Sequence, residues 1–577
     1  MIVEFDVPAT MRDGTVLRAN VYRRGGADPG PVLLCRTPYG KDFPNAGATI
    51  DVPEATKRGF VVVIQDTRGR FNSEGDWEPM LNEAEDGADS VAWAATLPGS
   101  DGQVAMYGAS YFGFTQWAAA SQKPPALRAI APFVTWFDPF DGILFRGGAL
   151  ELGLQASWHM QVGLNSLMRR HKDDKVALGR AVYGLVADYD ALPTGFAELP
   201  LREFPPLRRH GVGEAFFETV SNPLAQTDRT AVSTAVHTWH DRITVPSFNI
   251  GGWHDIFLAG TIANYRAARR AGQPARLLIG PWPHGPATNP IGEINYGFGA
   301  QAGFIDLRSD LSSMQLDWFE HRLRDTVGPD PDKPVQVFVM GINKWRTEVD
   351  WPLDRAETVP FFLHADGGLS EQESATEQPD RYEYDPADPA PTLGGATLLS
   401  PDYPAGPRDQ RRVEERPDVL AFTTAPLEQD LEVTGPIELS LWASSSAPDT
   451  DFVARLCDVF PDGRSINLTD GIIRARYRNG IGDPQLLEPG RPYEFTIDLW
   501  ATSNVFLAGH RIRLDITSSS FPRWDRNPNT GHELGADAEL RVAQQQIWHD
   551  REHPSQLLLP VVPGLSLEAD AEQHTDK

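Results

Sequence analysis

Ser110 stands between small residues in Gly108-Ala109-Ser110-Tyr111-Phe112-Gly113. A largely apolar run, Gln103 to Tyr107, leads into it, and a helix-forming run, Phe114 to Ala120, leads out. A serine at a strand-to-helix junction is how a nucleophile elbow is written, because the tight turn lifts the hydroxyl clear of the sheet. The helix that follows aims its free N–H groups and positive end at charge developing there. One position departs from the general pattern, which wants glycine two residues after the serine. Phe112 sits there, and Gly113 comes one place later. A plain strand–turn–helix carrying a surface serine is the alternative.

A neutral hydroxyl is a poor nucleophile at neutral pH, so Ser110 needs a base and an acid to orient it. In α/β hydrolases the acid and then the histidine follow the serine, each on a loop just after a parallel strand. The run ending at Ile250 continues Gly251-Gly252-Trp253-His254-Asp255-Ile256-Phe257, and the run ending at Ile279 continues Gly280-Pro281-Trp282-Pro283-His284. Asp255 and His284 hold the expected places, with His284 to take the proton and Asp255 to fix its tautomer. A loop histidine beside Gly and Pro is the other reading of His284. His254 competes as base, but adjacency to Asp255 places it badly for donating to that carboxylate while facing Ser110. His240-Asp241 and His549-Asp550 repeat the pair outside such loops and are expected to be surface features. An oxyanion hole needs two donors. The N–H of Tyr111 is one by construction. Tyr39, in the loop Pro38-Tyr39-Gly40-Lys41 after an early strand, carries the best neutral side-chain donor for the other, or else is a packed aromatic beside a turn.

The elements that must position these residues alternate strand and helix. Thr15–Tyr22 alternates like a half-exposed strand. Pro31–Cys35 and Phe60–Ile64 read as buried parallel strands. Ile50–Arg58 and Glu83–Thr96 read as helices, and Ala129–Phe133 as another strand. From Gly142 to about Asp241 the signals turn helical and irregular, with a loop-like stretch at Leu199–Pro206. The α/β rhythm resumes with a strand at Thr244–Ile250, a helix at Ala259–Ala271, a strand at Arg276–Ile279, a helix at Leu311–Leu323 and a last strand at Val335–Val339. Gly328-Pro329-Asp330-Pro331 breaks the chain before it. Residues 366–408, rich in Pro, Gly, Asp and Ser, are expected to be long surface loops. Short alternating strands from Ile437 onward point to a β-sandwich or jelly roll.

The 577 residues are too many for one core. A net charge of −27 argues against nucleic acid and anionic membrane as partners. No apolar run of about 18 residues exists to span a membrane. Met1–Asp6 lacks the features of a secretory signal, which favours the cytoplasm. Cys35 and Cys457 are expected to be buried free thiols. No Cys/His spacing suggests zinc, and Asp449-Thr450-Asp451 lacks the spacing of a calcium loop and is read as a strand-edge feature. Arg68 is expected to make a structural ion pair near the site.

The ordered set of motifs resembles the cocaine esterase family of serine hydrolases, itself similar to the X-prolyl dipeptidyl peptidases and α-amino acid ester hydrolases. The matching pieces are Arg36–Lys41, Gln65–Arg70 with Ser73-Glu74-Gly75, the elbow Gly108–Gly113 with its late glycine, Gly251–Asp255, Gly280–His284 and Met340–Trp345. Asp449–Phe452, Val459–Gly463 and Ser518–Arg523 continue the match into the last third. The resemblance implies an α/β-hydrolase core (1–138 and 242–353), an inserted helical cap (139–241) and a C-terminal β jelly roll (354–577). It implies a Ser110–Asp255–His284 triad, an oxyanion hole made by the Tyr39 hydroxyl and the Tyr111 N–H, and an aromatic acyl pocket for which Phe257 and Trp158 are the candidates. The expected activity is cleavage of a small-molecule ester or amide through an acyl-enzyme, with no cofactor and no metal. Homo-oligomerisation is left open. An X-prolyl dipeptidyl peptidase or α-amino acid ester hydrolase is the alternative and needs carboxylates to hold a free ammonium; Glu151, Asp188 and Asp190 are the acids available in the cap. A non-catalytic protein binding ligand through the jelly roll is the remote one.

Overall fold

The computed structural model describes residues 1–26, 28–43, 49–221, 229–324, 326, 328, 331–374 and 378–564. Pro329 and Asp330 of the chain break lie outside them. The chain opens with an antiparallel pair, β1 (Ile2–Thr10) and β2 (Val16–Arg23). It then lays down β3 (Gly30–Thr37), β4 (Val61–Asp66), β5 (Ser100–Ala109) and β6 (Leu127–Phe133), with α1 (Val52–Lys57), α2 (Glu83–Ala94) and α3 (Tyr111–Ser121) between them. The solid apolar runs of β3 and β4 are buried along their whole lengths, as strands covered on both faces must be. After a two-residue hairpin, β7 (Phe145–Arg146) with β8 (Ala149–Leu150), comes a helical region. Its long members are α4 (Leu152–Arg170) and α5 (Lys175–Asp190). Shorter ones are α6 (Leu192–Gly195), α7 (Pro205–Arg208), α8 (Glu214–Ser221) and α9 (Arg229–Thr234).

The first sheet is completed by β9 (Ser247–His254), β10 (Ala275–Pro283), β11 (Val335–Val339) and β12 (Lys344–Glu348), with α10 (Leu258–Arg270) and α11 (Leu311–Arg324). Its order is β1-β2-β4-β3-β5-β6-β9-β10-β11-β12. Every pair from β4 through β11 is parallel, and β2 and β12 join at the edges antiparallel. Val335–Val339 is therefore not the last strand, because β12 folds back on it.

The remaining strands are β13 (Glu357–His364), β14 (Gly368–Ser370), β15 (Asp380–Tyr384), β16 (Leu420–Thr423), β17 (Leu431–Ser445), β18 (Asp451–Val459), β19 (Ser465–Arg474), β20 (Tyr493–Phe506), β21 (Arg511–Thr517), β22 (Ala543–Trp548) and β23 (Gln556–Val561). They form a second, mainly antiparallel sheet in the order β15-β22-β17-β23-β13-β14-β16-β21-β18-β19, with β20 on β17. The two sheets touch where Met340 bridges to Asn504. Gly341 sits there at φ +83°, and a Cβ on it would collide with the Val505 carbonyl. Apolar residues of both sheets and of the helices merge in one core cluster.

Three expectations are corrected. Residues 366–408 are not all surface loops: among the described residues they contain β14 and β15, and Ala390, Thr397 and Ser400 are buried. Leu199–Pro206 is not open loop but turns through residues 201–203 into α7. His240 and His549 are buried, not surface features. His240 bonds Asn264 at 2.9 Å and packs against Trp117, and His549 bonds Asp380 at 3.0 Å. An imidazole with a polar partner inside is a satisfied core residue, and the partner in each case lies far along the chain.

The cysteines Cys35 and Cys457 are buried and unbridged. Arg68 pairs with Asp86 (2.6 Å) and Asp13 (2.7 Å). Asp449 and Asp451 are answered by Arg476 (2.8 Å) and Arg474 (2.9 Å). No helix among the described residues is long and apolar enough to cross a membrane.

Candidate active site

Ser110 sits between β5 and α3 at φ 56° and ψ −122°, a left-handed backbone that a side chain adopts only under constraint. The constraint comes from the end of β6 and the residues just after it: the Ser110 N–H donates to the Phe133 carbonyl (2.8 Å), and the Thr135 hydroxyl donates to the Ser110 carbonyl (3.0 Å). Both flanking glycines are required. Gly108 has φ +135°, and a Cβ there would collide with the Phe112 ring. A Cβ on Gly113 would lie 2.9 Å from Thr135 Cβ and 3.1 Å from the Phe133 carbonyl oxygen. The late glycine thus falls where the first turn of α3 crosses β6, and Phe112 is left free to face the cavity.

Asp255 follows the last residue of β9 and His284 the last residue of β10, and these strands are parallel neighbours. His284 Nε2 lies 3.0 Å from Ser110 Oγ, and His284 Nδ1 lies 2.6 Å from Asp255 Oδ2. The other carboxylate oxygen of the fully buried Asp255 accepts the Phe257 N–H at 2.7 Å. His254 is buried elsewhere, 3.3 Å from the Tyr296 hydroxyl, and burial pushes it down to about 4.

Tyr39 lies just past β3. Its loop is tied down by Arg70, whose Nε donates to the Pro38 carbonyl at 2.8 Å. The Tyr39 oxygen accepts the indole N–H of Trp158 (3.0 Å), and Tyr39 lines the same cavity as Ser110. Burial pushes this phenol up to about 12. Tyr111 begins α3, so its N–H belongs to the free first turn. Its side chain is anchored through its hydroxyl, which donates to Glu83 (2.9 Å) and accepts the Met80 N–H (2.8 Å). Glu83, itself ion-paired to Arg36 at 2.8 Å, is pushed up by burial.

A cavity of about 340 Å³ opens on Ser110 and His284. Phe257 and Trp158 both line it, as do Trp136, Ile143 and Leu398, and no Asp or Glu is among its lining residues. A larger cavity, about 670 Å³, touches Trp77 and His159 and holds none of Ser110, Asp255 and His284, so volume does not mark the reactive centre. Glu151, Asp188 and Asp190 are not brought to Ser110. Glu151 accepts the Trp524 indole N–H (2.9 Å), Asp188 is held by Arg209 and His210, and Asp190 is exposed. The lining by Leu398, Ile143 and Trp136 had no signal in the sequence, since nothing local distinguishes them from core residues. Among the described residues one group, Glu414, Cys457 and Asp515, has donor atoms close enough to hold a metal. Its carboxylates are already paired with Arg513 and Arg455, which makes it an ion-pair cluster.

Comparison with known proteins agrees with this architecture. Residues 13–286 match the model of the X-Pro dipeptidyl-peptidase (S15 family), and residues 328–558 match the X-Pro dipeptidyl-peptidase C-terminal non-catalytic domain. Cocaine esterase of Rhodococcus sp. (strain MB1 Bresler) is 37% identical over 97% of this chain and 98% of its own. A solved α-amino acid ester hydrolase superposes with a TM-score of 0.78 at 26% identity, covering 97% of this chain and 96% of that one. An aminopeptidase from a marine sediment Thaumarchaeota archaeon superposes with a TM-score of 0.81 at 24% identity over 97% and 96% of the two chains, and shares the fold. With its hydrolase sheet, its C-terminal β domain and a relative this similar along nearly its whole length, the chain belongs to the cocaine esterase family of serine hydrolases.

Proposed function

We propose that this serine hydrolase cleaves carboxylic esters through an acyl-enzyme formed on Ser110. The observation that carries the reading is the continuous hydrogen-bonded line from Asp255 through His284 to the strained Ser110 (2.6 and 3.0 Å). Ser110 attacks the carbonyl carbon while His284 takes its proton, and Asp255 holds the imidazole in the right tautomer and stabilises the imidazolium. The developing oxyanion is met by the Tyr39 hydroxyl and the Tyr111 N–H. His284 then gives its proton to the leaving alcohol, and water repeats the sequence on the acyl-enzyme. The acyl group lies against Phe257 and Trp158. In this reading residues 139–241 are a cap over the core (1–138 and 242–353) and residues 354–577 a jelly roll. The helices between β6 and β9 and the separate second sheet support that division.

Ser110→Ala is expected to abolish turnover, and labelling by a fluorophosphonate, while leaving the thermal melt unchanged; labelling that survives in the variant would place the nucleophile elsewhere. The α-amino ester and X-prolyl readings require a carboxylate for the substrate ammonium. The lining without acids favours acyl groups that carry no free amine. An N-acetylated ester is therefore expected to be turned over faster than its free-amine counterpart, and the reverse order of kcat/KM would restore those readings.

A further inference from the structure

Trp158 does more at this site than present an apolar wall. Its indole N–H can only donate, and it donates to the Tyr39 oxygen at 3.0 Å. That one bond restricts the next: the Tyr39 oxygen is engaged as an acceptor by the indole, so its own proton is left for the other side, and Tyr39 and Ser110 line the same cavity. The indole is held on its faces and edge. Tyr111 stacks on it (6.2 Å, 21°), Trp77 tilts against it (5.8 Å), and His159 meets it edge-on (5.0 Å). The clamping rings come from three parts of the chain: the loop before α2, the first residue of α3 and α4 itself.

We propose that Trp158 is a positioning residue for the oxyanion hole, orienting the Tyr39 hydroxyl toward the substrate oxygen by occupying the Tyr39 acceptor site from behind. The proposal rests on the reading of Tyr39 as an oxyanion donor. Without the indole N–H the phenol is free to rotate its proton out of the cavity, and part of the transition-state stabilisation is spent on reorienting it. A chain of hydrogen bonds also polarises its members in sequence, so the Trp158 bond strengthens the Tyr39 donor when charge appears beyond it.

The test measures kcat and KM after replacing Trp158 by phenylalanine and, separately, by benzothienylalanine, which keeps the bicyclic shape and lacks the N–H. Each replacement is made in the wild-type and in the Tyr39→Phe background. In the wild-type background the benzothienylalanine replacement is expected to lower kcat by about five- to tenfold with KM changed by less than about twofold, and the phenylalanine replacement, which also removes part of the acyl wall, to lower kcat at least as much. In the Tyr39→Phe background the benzothienylalanine replacement should produce no further loss, because the group through which the indole N–H acts is gone. Equal benzothienylalanine losses in both backgrounds, or wild-type kcat in the benzothienylalanine enzyme, would overturn the proposal and leave Trp158 as a wall. Wild-type kcat in Tyr39→Phe alone overturns the oxyanion reading beneath it, and is seen without altering Trp158. If the phenylalanine variant folds poorly, the benzothienylalanine enzyme, which preserves the packing volume, decides.

Discussion

At the scale of residues, the two proposed oxyanion donors differ in kind. One is a backbone N–H at a helix start, which cannot be removed without breaking the elbow. The other is a phenol on a separate loop, and it can be removed by one atom. Tyr39→Phe is expected to lower kcat by about 10²–10³. The phenol should hold its proton far into alkali, since burial pushes it up to about 12. The ratio of wild-type to Tyr39→Phe kcat is therefore expected to stay constant from about pH 7 to about pH 10, and a ratio that collapses in this range would show the donor ionising. That Ser110, Asp255 and His284 come together could be read from sequence because each follows an apolar strand directly, and the order of strands tells which sheet edge they reach. The bond from Trp158 to Tyr39 could not. Its partners are separated by 119 positions, and whether α4 turns its indole toward that phenol depends on packing that no local pattern encodes.

At the scale of elements, the elbow depends on how tightly α3 rests on β6. Gly113→Ala puts a methyl 2.9 Å from Thr135 and 3.1 Å from the Phe133 carbonyl, neither of which is a flexible side-chain end. The first turn of α3 must lift, and the Tyr111 N–H lifts with it. The variant is expected to lose about 1–3 kcal/mol of stability and to lose kcat as well, measured by thermal melting and by turnover well below the melt. A stable variant with full activity would show that the crossing is looser than described. The late glycine was visible in the sequence as a departure from a pattern; only the crossing with β6 gives it a reason. The same limit explains the errors over residues 366–408 and over His240 and His549. Polar, Pro-rich or His-containing stretches look solvent-facing when read locally. Here they are covered by chain that lies far away in sequence, and their polar atoms find partners there.

At the scale of the whole molecule, the parts of the chain meet around buried charge. Arg146 stacks on Trp500 at 3.5 Å and donates to the Asp470 and Asp498 carbonyls at 2.7 and 3.0 Å. Arg523 binds the Asp470 carboxylate at 2.6 Å. Burial pushes Glu151 up to about 7 and Asp141 up to about 6. A carboxyl whose folded-state pKa is raised binds more protons in the folded chain than in the unfolded one, so stability falls as pH rises through the interval between the two values. For Glu151 that interval runs from 4.5 to about 7. The melting temperature is expected to decline across it. Glu151→Gln keeps an acceptor for the Trp524 indole, removes the titration and should flatten the decline; identical slopes for the two proteins would show that Glu151 is not the group responsible.

The helix that carries Trp158 is bolted to the end of the chain. Gly153 of α4 packs so closely on Leu399 that a Cβ would collide with it, and the Gly153 N–H donates to the Arg523 carbonyl at 3.2 Å. Leu398, just before Leu399, lines the cavity itself. This sets a schedule for synthesis. When a ribosome has delivered Ser110, Asp255 and His284, the three residues can already line up, but Leu398 and the chain that packs on Gly153 have not yet been translated. Leu399 and Arg523, which hold Gly153, lie well after His284 in the chain, so the packing that fixes α4 forms only once strands of the second sheet have been made.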